Sequence, residues 1–504
     1  MHKIIVSGLL VLAAASGASW SGVASAEEGK SLTLAVNIDL NTWDPFYDVN
    51  NDDLKAIVFE APLRIVGQTV KPWLAERWTV SPDGSEYTLY FRKGVKFHNG
   101  RELKADDVLW SIERARDQKI GHHLGDRFVN AKGAVKIDDY TVKVIYDGPT
   151  NLALDGLARL FIYPKESLAT INNHPVGTGP FQIAENEEGD HVTFTRFADY
   201  WQPGKPKLQS LVVKPILDDQ ARLLNLKSGS ADVIVGVSYA DIAALQQEPE
   251  LATAHNELGS SYSALTVNLK HPPFDAQPVR QALNYAIDRQ AINQLAFHGQ
   301  GNLTSLPVTA ASWAYPADLA NHYGYDPQKA KALLANSKLD PNHEYSILVQ
   351  NVSGLLDVAQ VIQQQLAQVG IKSRLNPLDN ATFFPTLFKG DFDLVVHGTG
   401  DANVDPANYF VGASVARPFR NFYGVEGDWP WFPGYKATIE KAGKATDQTQ
   451  RKALYHELYG TLVDQGWTIP LAWSPLQVAY NKRVQGLDFA NILGTFYWEN
   501  VSVQ

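Results

Sequence analysis

The chain has 504 residues, enough for several domain-sized units, and its 45% hydrophobic and 11% aromatic content favours a well-packed globular protein over a disordered one. Its formal net charge of −10 offers no attraction to phosphate backbones or anionic membranes, so nucleic acid is not an expected partner. The absence of cysteine excludes disulfides, thiolate nucleophiles and Cys-based metal sites.

The first 26 residues have the pattern of a secretory signal peptide. Lys3 gives a positive start, residues 4–15 are almost wholly apolar, and Ala24-Ser25-Ala26 forms a small-residue cleavage site. The apolar run is shorter than the ~18 residues that a membrane-spanning helix needs, and no second run of that length follows. We therefore expect cleavage after Ala26 and a periplasmic mature chain without direct membrane insertion.

The first part of the chain contains patterns typical of both strands and a helix. Residues 31–38 and 86–91 alternate between apolar and polar side chains and predict strands, and residues 94–97 predict a further short strand. Asp106 and Asp107 suit the first turn of a helix, where the helix dipole favours acidic groups. The apolar stripe of that helix consists of Val108, Leu109, Ile112 and Ala115.

Residues 176–181 contain two glycines, a feature of phosphate-binding loops. We reject that interpretation because no helix follows to supply a positive N-terminus. Apolar residues on both sides of Gly189-Asp190 instead predict a hairpin. The glycines of residues 176–181 belong to the segment that leads into this hairpin.

Two later parts of the chain predict a helix followed by a strand, at residues 220–235 and 357–375. Residues 392–396 then form a near-continuous apolar run, typical of strands that helices cover on both faces in α/β layers. In open α/β sheets, ligands bind beyond the carboxyl ends of the strands. A ligand crevice is therefore expected at the Gly-rich, acidic segment 397–401, whereas Asp405 suits a turn or helix cap.

Several short blocks along the chain match, in order, the motifs of one protein family. The blocks are residues 72–78, 81–84, 91–100, 104–108, 176–181, 199–201, 268, 272–275, 279–283 and 286–288. With them the chain resembles the extracellular solute-binding proteins of the peptide/nickel/opine type, which feed ABC importers. The resemblance covers nearly the whole mature chain but does not identify the ligand.

The resemblance implies an α/β fold: a two-lobe periplasmic binding protein of type II, with an extra α/β subdomain. Two crossing strands, near residues 265–269 and 470–480, would form the hinge. The implied boundaries are 1–26 for the signal peptide, 27–70 with 175–268 and 471–504 for lobe I, 71–174 for the extra subdomain, and 269–470 for lobe II. A monomer would capture a peptide or peptide-like solute between the lobes and deliver it to an inner-membrane permease.

In peptide-binding members of this family, an acid beyond the lobe II strand pairs with the α-ammonium of the peptide, and Asp401 matches it. A buried ammonium needs such a partner, because an unpaired ion costs several kcal/mol. This chain departs from those members, however: His397-Gly398 stands where Gly-Trp is common, and the stretch that carries a carboxylate-binding Arg in dipeptide members ends in Gln350-Asn351. Two candidate replacements for that Arg, as bidentate anchors, are Arg417 and Arg420.

Other candidate ligand contacts lie near the expected crevice. Trp43, Phe46 and Tyr47 follow the first strand, with loop packing as the alternative, and Asn50 offers hydrogen bonds. His397 suits either a contact with a ligand or metal or a structural hydrogen bond. The full set of candidate ligand-binding residues is Trp43, Phe46, Tyr47, Asn50, Asn351, His397, Thr399, Asp401, Arg417 and Arg420.

We find no motif that supports an enzyme. Gly-x-Ser-x-Gly is absent, and the segment at His456 lacks the second His of a zincin helix. No catalytic residue, metal ligand or cofactor is therefore expected. Alternatives to a peptide ligand are an opine or sugar-phosphate conjugate and a nickel chelate. Alternative functions are a secreted hydrolase and a sensory or chaperone-like protein on the same scaffold.

Overall fold

The structure is a computed structural model. It describes residues 31–38, 42–46, 52–117, 120, 124–128, 130–256, 261–352, 354–399, 405–410, 423–474, 476–487 and 496–504. The predicted signal peptide and its cleavage site lie outside these ranges. Within them, no helix combines the length and the apolar character that crossing a membrane requires.

Strands occur along almost the whole described chain. They are β1 (Ser31–Val36), β2 (Leu63–Val66), β3 (Thr69–Pro72), β4 (Ala75–Val80), β5 (Glu86–Phe91), β6 (Ala131–Asp138), β7 (Thr141–Tyr146), β8 (Phe181–Glu187), β9 (His191–Arg196), β10 (Ser210–Pro215), β11 (Val233–Val235), β12 (Leu251–His255), β13 (Ser261–Val267), β14 (Asn302–Leu303), β15 (Tyr345–Gln350), β16 (Ser373–Leu378), β17 (Leu394–Thr399), β18 (Thr468–Ser474), β19 (Gln477–Asn481), β20 (Val484–Gln485) and β21 (Ser502–Val503).

Helices connect and cover these strands. They are α1 (Asp52–Lys55), α2 (Ala105–Arg116), α3 (Gly125–Phe128), α4 (Ala153–Arg159), α5 (Asp219–Ser228), α6 (Tyr239–Leu245), α7 (Gln277–Ala286), α8 (Arg289–Ala296), α9 (Pro327–Leu334), α10 (Leu355–Gln368), α11 (Asn380–Lys389), α12 (Ala407–Phe410), α13 (Phe432–Lys444) and α14 (Gln448–Gln465). Short 3-10 turns occupy Lys165–Thr170 and Trp498–Asn500.

The first large sheet has seven described strands in the order β12-β19-β11-β1-β10-β9-β8, with β1 parallel to both of its neighbours. The predicted alternation in β1 is confirmed: Leu32 and Leu34 face one hydrophobic core, and Ala35 faces another on the opposite side. The predicted hairpin is confirmed as well, because β8 pairs with β9 across the turn at Gly189.

The second large sheet has six described strands in the order β14-β18-β13-β17-β15-β16. The apolar run in β17 is buried on both faces as predicted, since Val396 packs in one core and Val395 in another. The strand nevertheless extends beyond the predicted end at residue 396. His397, Gly398 and Thr399 continue its antiparallel pairing with β13, so β17 ends at Thr399.

The chain passes between the two large sheets twice, from β12 to β13 and from β18 to β19. These passages provide the two crossing strands of the fold. The sequence assigned residues 175–268 to lobe I, but β13 pairs with β17 and β18 and therefore lies in the second sheet. The second passage falls between Ser474 and Gln477, inside the range predicted for the hinge.

A four-stranded sheet, β4-β5-β7-β6, forms within residues 71–174, the range predicted for an extra subdomain. Helix α2 packs on it, with Val108, Ile112 and Ala115 buried as expected. The short strand predicted at residues 94–97 is wrong. Gly94 adopts a positive φ of 77°, and this segment forms only a single bridge, between Lys96 and Glu102.

The two glycines of residues 176–181 lie against the backbone of residues 57–58. The amide of Gly179 donates to the carbonyl of Val58 at 2.8 Å, and the amide of Phe181 donates to the carbonyl of Ile57 at 3.2 Å. A Cβ atom on Gly177 would lie 1.9 Å from the carbonyl oxygen of Val58. These glycines therefore permit a close backbone approach, in agreement with the rejection of a phosphate loop.

Candidate ligand-binding site

The carboxyl ends of β15 and β17 lie side by side, because these two strands are parallel neighbours. Gln350 ends β15 and joins the two strands: its side-chain oxygen accepts from the Gly398 amide at 3.2 Å, and its amide donates to Asn380 at 2.9 Å. Asn351 follows with an exposed side chain. Asn351 and Thr399 therefore meet at one sheet edge, where ligands of α/β proteins bind.

Half of the predicted contact residues cannot be placed. The residues outside the described ranges are Tyr47, Asn50, Asp401, Arg417 and Arg420. The backbone of Thr399 is described as the last residue of β17, opposite Tyr262. The roles of these residues in ligand binding remain predictions.

Trp43 and Phe46 are packed in the core beside the first sheet. Only 2% of Trp43 and 1% of Phe46 is exposed. The ring of Trp43 lies 5.7 Å from that of Phe194, and the ring of Phe46 lies 6.1 Å from that of Tyr163. This burial agrees with the alternative that Trp43 and Phe46 pack inside the protein rather than contact a ligand.

His397 is held by hydrogen bonds inside the protein. Its Nε2 atom lies 3.0 Å from the Tyr423 hydroxyl and 3.3 Å from Thr266 Oγ1, which in turn lies 3.2 Å from Thr468 Oγ1. Burial lowers the pKa of His397 to about 4, although a backbone hydrogen bond at Gly398 opposes the shift. The imidazole is therefore neutral at pH 7. This arrangement agrees with the second of the two roles considered for His397, that of a structural hydrogen-bonding residue.

Because the folded pKa of His397 lies below its ordinary value of 6.5, acid destabilises the fold through this group. The unfolded chain binds a proton below about pH 6.5, whereas the folded chain resists protonation until about pH 4. Between pH 7.5 and pH 5, this difference removes about 2 kcal/mol of stability.

We expect urea unfolding of the wild type and of His397→Asn to reveal this effect. The free-energy difference between them should shrink by about 2 kcal/mol as the pH falls from 7.5 to 5. Subtracting the unfolding free energy of the variant from that of the wild type cancels the contributions of other titrating groups. One such group is the buried Glu60, whose pKa is raised to about 7. A difference that does not change with pH would contradict a neutral, buried imidazole.

Sequence reasoning missed an aromatic group at the same sheet edge. Tyr262 stands between Thr399 and Trp473 in the sheet, and its ring lies 4.9 Å from that of Trp473. Trp473 is 5% exposed, and its indole N–H has no hydrogen-bond partner among the residues that the structure describes. Trp473 lies within the range 470–480 expected for the hinge, and nothing in the sequence alone indicates that its indole N–H faces no acceptor among the described residues.

Asp405 has the cap role that the sequence favoured. It accepts from the Ala407 amide at 2.9 Å, at the start of α12. Its other oxygen, Oδ2, pairs with Arg451 at 2.5 Å, whereas the Tyr455 hydroxyl donates to Oδ1, the same oxygen that accepts from Ala407. Burial raises the pKa of Asp405, while the Arg451 charge opposes the shift. These partners fix the start of α12 to α14.

Glu60 is a buried acid whose burial raises its pKa to about 7. Such a shift often marks a functional site. Here, however, the carboxylate is surrounded by donors from Trp73, Thr178, Tyr200 and Trp201, at distances of 2.8–3.3 Å. Because these partners come from three separate segments of the chain, we interpret Glu60 as a residue that holds the fold together. The described residues contain no group of three or more acidic, His or Cys side chains suited to a metal.

The chain is similar to known solute-binding proteins over nearly its whole length. It is 30% identical to a glutathione-binding protein, GsiB, of Escherichia coli O1:K1 / APEC, covering 95% of each chain. It is 28% identical to the dipeptide-binding protein of Escherichia coli K12, covering 93% of this chain and 92% of that protein.

A solved structure has the same fold. The protein AgaA of A. tumefaciens R10, in complex with agropinic acid, superposes with a TM-score of 0.83 at 27% identity, covering 94% of this chain and 99% of that chain. Residues 69–418 match the family model described as bacterial extracellular solute-binding proteins, family 5 Middle. The chain therefore belongs to the family 5 bacterial extracellular solute-binding proteins, the ligand-capturing components of ABC importers.

Proposed function

We propose that the ligand is a short peptide or a peptide-like solute, bound between the two lobes with its α-ammonium paired to Asp401. The observation that carries this proposal is that β17 ends at Thr399, two residues before Asp401 in the sequence. The end of β17 lies at the sheet edge where the fold class binds ligands. Relatives named for dipeptide and glutathione binding support the same ligand class.

The opposite end of the ligand requires a different anchor from that of dipeptide binders. Asn351 directly follows the end of β15 and has an exposed, uncharged side chain. We assign the carboxylate contact to Arg417 or Arg420, whose guanidinium groups suit bidentate binding. The indole N–H of Trp473, which has no acceptor within the described part of the chain, offers a donor for a ligand carbonyl. We therefore expect the ammonium group of the ligand to pair with Asp401 and its carboxylate to pair with Arg417 or Arg420.

Nothing in this arrangement requires covalent chemistry. The binding groups are a carboxylate, guanidinium groups and amides, and a closed cleft strengthens their charge pairs by excluding water. We propose that the mature chain, cleaved after Ala26, works as a periplasmic monomer. It would release its ligand unchanged to the permease.

A second candidate ligand is an opine. Two observations favour it: the uncharged Asn351 at the position of the usual carboxylate anchor, and the similarity to a protein solved with agropinic acid. An opine with a free ammonium group would still use Asp401. An opine without one would leave that acid unpaired in the cleft.

Binding should raise thermal stability, because a ligand that prefers the folded state stabilises it by mass action. We expect di- or tripeptides at a hundred times their Kd to add about 2.7 kcal/mol to the unfolding free energy. A thermal-shift panel of dipeptides, tripeptides, opines, sugar-phosphate conjugates and nickel chelates measures this. A shift with opines alone would replace the peptide proposal, and no shift with any solute would contradict capture of a small ligand.

A further inference from the structure

The four-stranded sheet belongs to the same body as the first large sheet. Tyr87 and Leu89 of β5 pack in one hydrophobic cluster with Leu32 and Leu34 of β1, and this body is lobe I. Helices α13 and α14 instead share a cluster with β13 and β18 of the second large sheet, which forms lobe II. A contact between the region of the four-stranded sheet and α13 therefore joins the two lobes.

Asn151, between β7 and α4, makes such a contact. Its side-chain amide donates to the Ala442 carbonyl at 2.7 Å, and its backbone amide donates to the Gly443 carbonyl at 3.2 Å. Ala442 and Gly443 lie in the last turn of α13, and the final carbonyls of a helix have no partners within it. Asn151 of lobe I thus caps the carboxyl end of a helix in lobe II.

Neighbouring residues extend this contact. Leu152 is 8% exposed and packs in the hydrophobic cluster of α13 and α14, whereas the next residue, Ala153, packs in the core of lobe I. Gly84, in the turn between β4 and β5, also approaches lobe II, because a Cβ atom there would lie 3.0 Å from Cγ2 of Thr446. Asn151 and Leu152, together with the last turn of α13, form a contact that we name the Asn151 latch.

The lobe I side of the latch is anchored to the four-stranded sheet. The hydroxyl of Tyr87, on β5, donates to the Thr150 carbonyl at 2.8 Å. The Thr150 hydroxyl oxygen in turn accepts from the Leu152 amide at 3.3 Å. Since these bonds hold the residues on both sides of Asn151, its two amides are fixed in position to meet α13.

We propose that Asn151 is a positioning residue, and that the Asn151 latch stabilises the closed arrangement of the lobes and slows release of the bound solute. The inference rests on the proposed function only in assuming that the ligand lies between the lobes. Both the backbone amide and the side-chain amide of Asn151 donate to α13, so the residue acts through the placement of lobe II rather than by touching the ligand.

The physical reason is that the latch exists only while the lobes are together. When they separate, the two carbonyls of α13 exchange their protein donors for water, and the apolar side chain of Leu152 becomes exposed. The free energy lost in this step favours the closed state over the open one. Removing the latch therefore shifts the equilibrium between the two states without changing any group that binds the ligand.

The test is a distance measurement between two spin labels in the ligand-free protein. The chain has no cysteine, so Ile137→Cys in β6 and Ala453→Cys in α14 place one label at an exposed position on each lobe. We expect Asn151→Ala to raise the ratio of open to closed conformers about three- to ten-fold. Asn151→Asp should raise it further, because a carboxylate is repelled by the carbonyl end of a helix.

Gln363→Ala is the matched control. The Gln363 side-chain amide also donates to a backbone carbonyl at 2.7 Å, that of Ser373, but both residues belong to lobe II. Its loss should leave the distance distribution like that of the wild type, whereas Leu152→Ala should shift it in the same direction as Asn151→Ala. Unchanged distances in both Asn151 variants, or an equal shift in Gln363→Ala, would overturn the proposal.

Binding kinetics provide the second readout, with trialanine as the probe in stopped-flow experiments. Trialanine should dissociate about three- to ten-fold faster from Asn151→Ala than from the wild type or Gln363→Ala, and it should associate no more slowly. Slower association with unchanged dissociation would overturn the latch role. Failure of the wild type to bind trialanine would count against the peptide proposal instead, because the spin labels judge the latch without any ligand.

Discussion

Asp401→Asn is expected to weaken binding of a peptide with a free α-ammonium by about 2 to 5 kcal/mol. This corresponds to a roughly thirty-fold to several thousand-fold increase in Kd. The loss is large because the substitution leaves the ammonium enclosed in a water-poor cleft without an opposite charge. An amide oxygen at the same place accepts a hydrogen bond but does not neutralise the cation.

Titration calorimetry with a peptide and its N-acetylated form isolates this effect. The acetylated peptide carries no cation, so Asp401→Asn should not change its already weak binding. Asp391→Asn is the matched control, because Asp391 is an exposed acid just before the opposite end of β17. Equal affinity of Asp401→Asn and the wild type for the free peptide would remove Asp401 from the site.

Gly177→Ala is expected to destabilise the protein by at least about 4 kcal/mol, or to prevent folding. Its Cβ atom would lie 1.9 Å from the carbonyl oxygen and 2.7 Å from the carbonyl carbon of Val58. Neither contact is compatible with van der Waals radii, and both partners are backbone atoms that cannot rotate away. The backbone around Val58 and Gly179 would have to separate, with loss of their hydrogen bond.

Gly460→Ala is the matched control for this substitution. Gly460 lies inside α14, and a Cβ atom there would meet nothing within 4 Å. The change should raise the unfolding free energy by about 0.5–1 kcal/mol, because alanine favours the helix over glycine. Urea denaturation of both variants measures the contrast. A loss below about 1 kcal/mol in Gly177→Ala would show that the close approach is not required.

Patterns along the chain predicted the elements whose burial follows a simple period. The alternation in residues 31–38 identified β1, and the continuous apolar run identified β17 as a strand buried on both faces. The helix predicted within residues 220–235 ends at Gly229 in the left-handed conformation that glycine commonly adopts at a helix C-cap. In each case, local spacing and backbone preference were sufficient.

Pairing between distant segments was harder to predict. β13 pairs with β17 and β18, and its side chains are buried in the second sheet, but nothing in residues 261–267 specifies that partner. The apolar alternation at residues 94–97 likewise resembled a strand. Those residues bury Val95 and Phe97 in the core beside a turn, and they form a single bridge instead of a strand, so the same pattern arises without an extended ladder.

For the candidate site, the strand-end rule pointed to residues 397–401, and the family resemblance added Asn351. The structure shows that the ends of β15 and β17, which precede Asn351 and residue 400, are neighbours in the sheet; the binding roles remain predictions. The rule did not indicate that Trp43 and Phe46 turn into the core, since an aromatic residue after a strand suits packing and ligand contact equally well. The partners of His397, Thr266 and Tyr423, come from distant parts of the chain, and no local signal links them.

Native mass spectrometry of the protein purified from its own host tests the central claim most directly, namely that this chain captures a small peptide-like solute without altering it. We predict a non-covalent adduct whose mass, after mild release, equals that of an intact short peptide or peptide-like compound with a free amine. A released opine without an amine, a nickel chelate or a cleaved product would contradict the account.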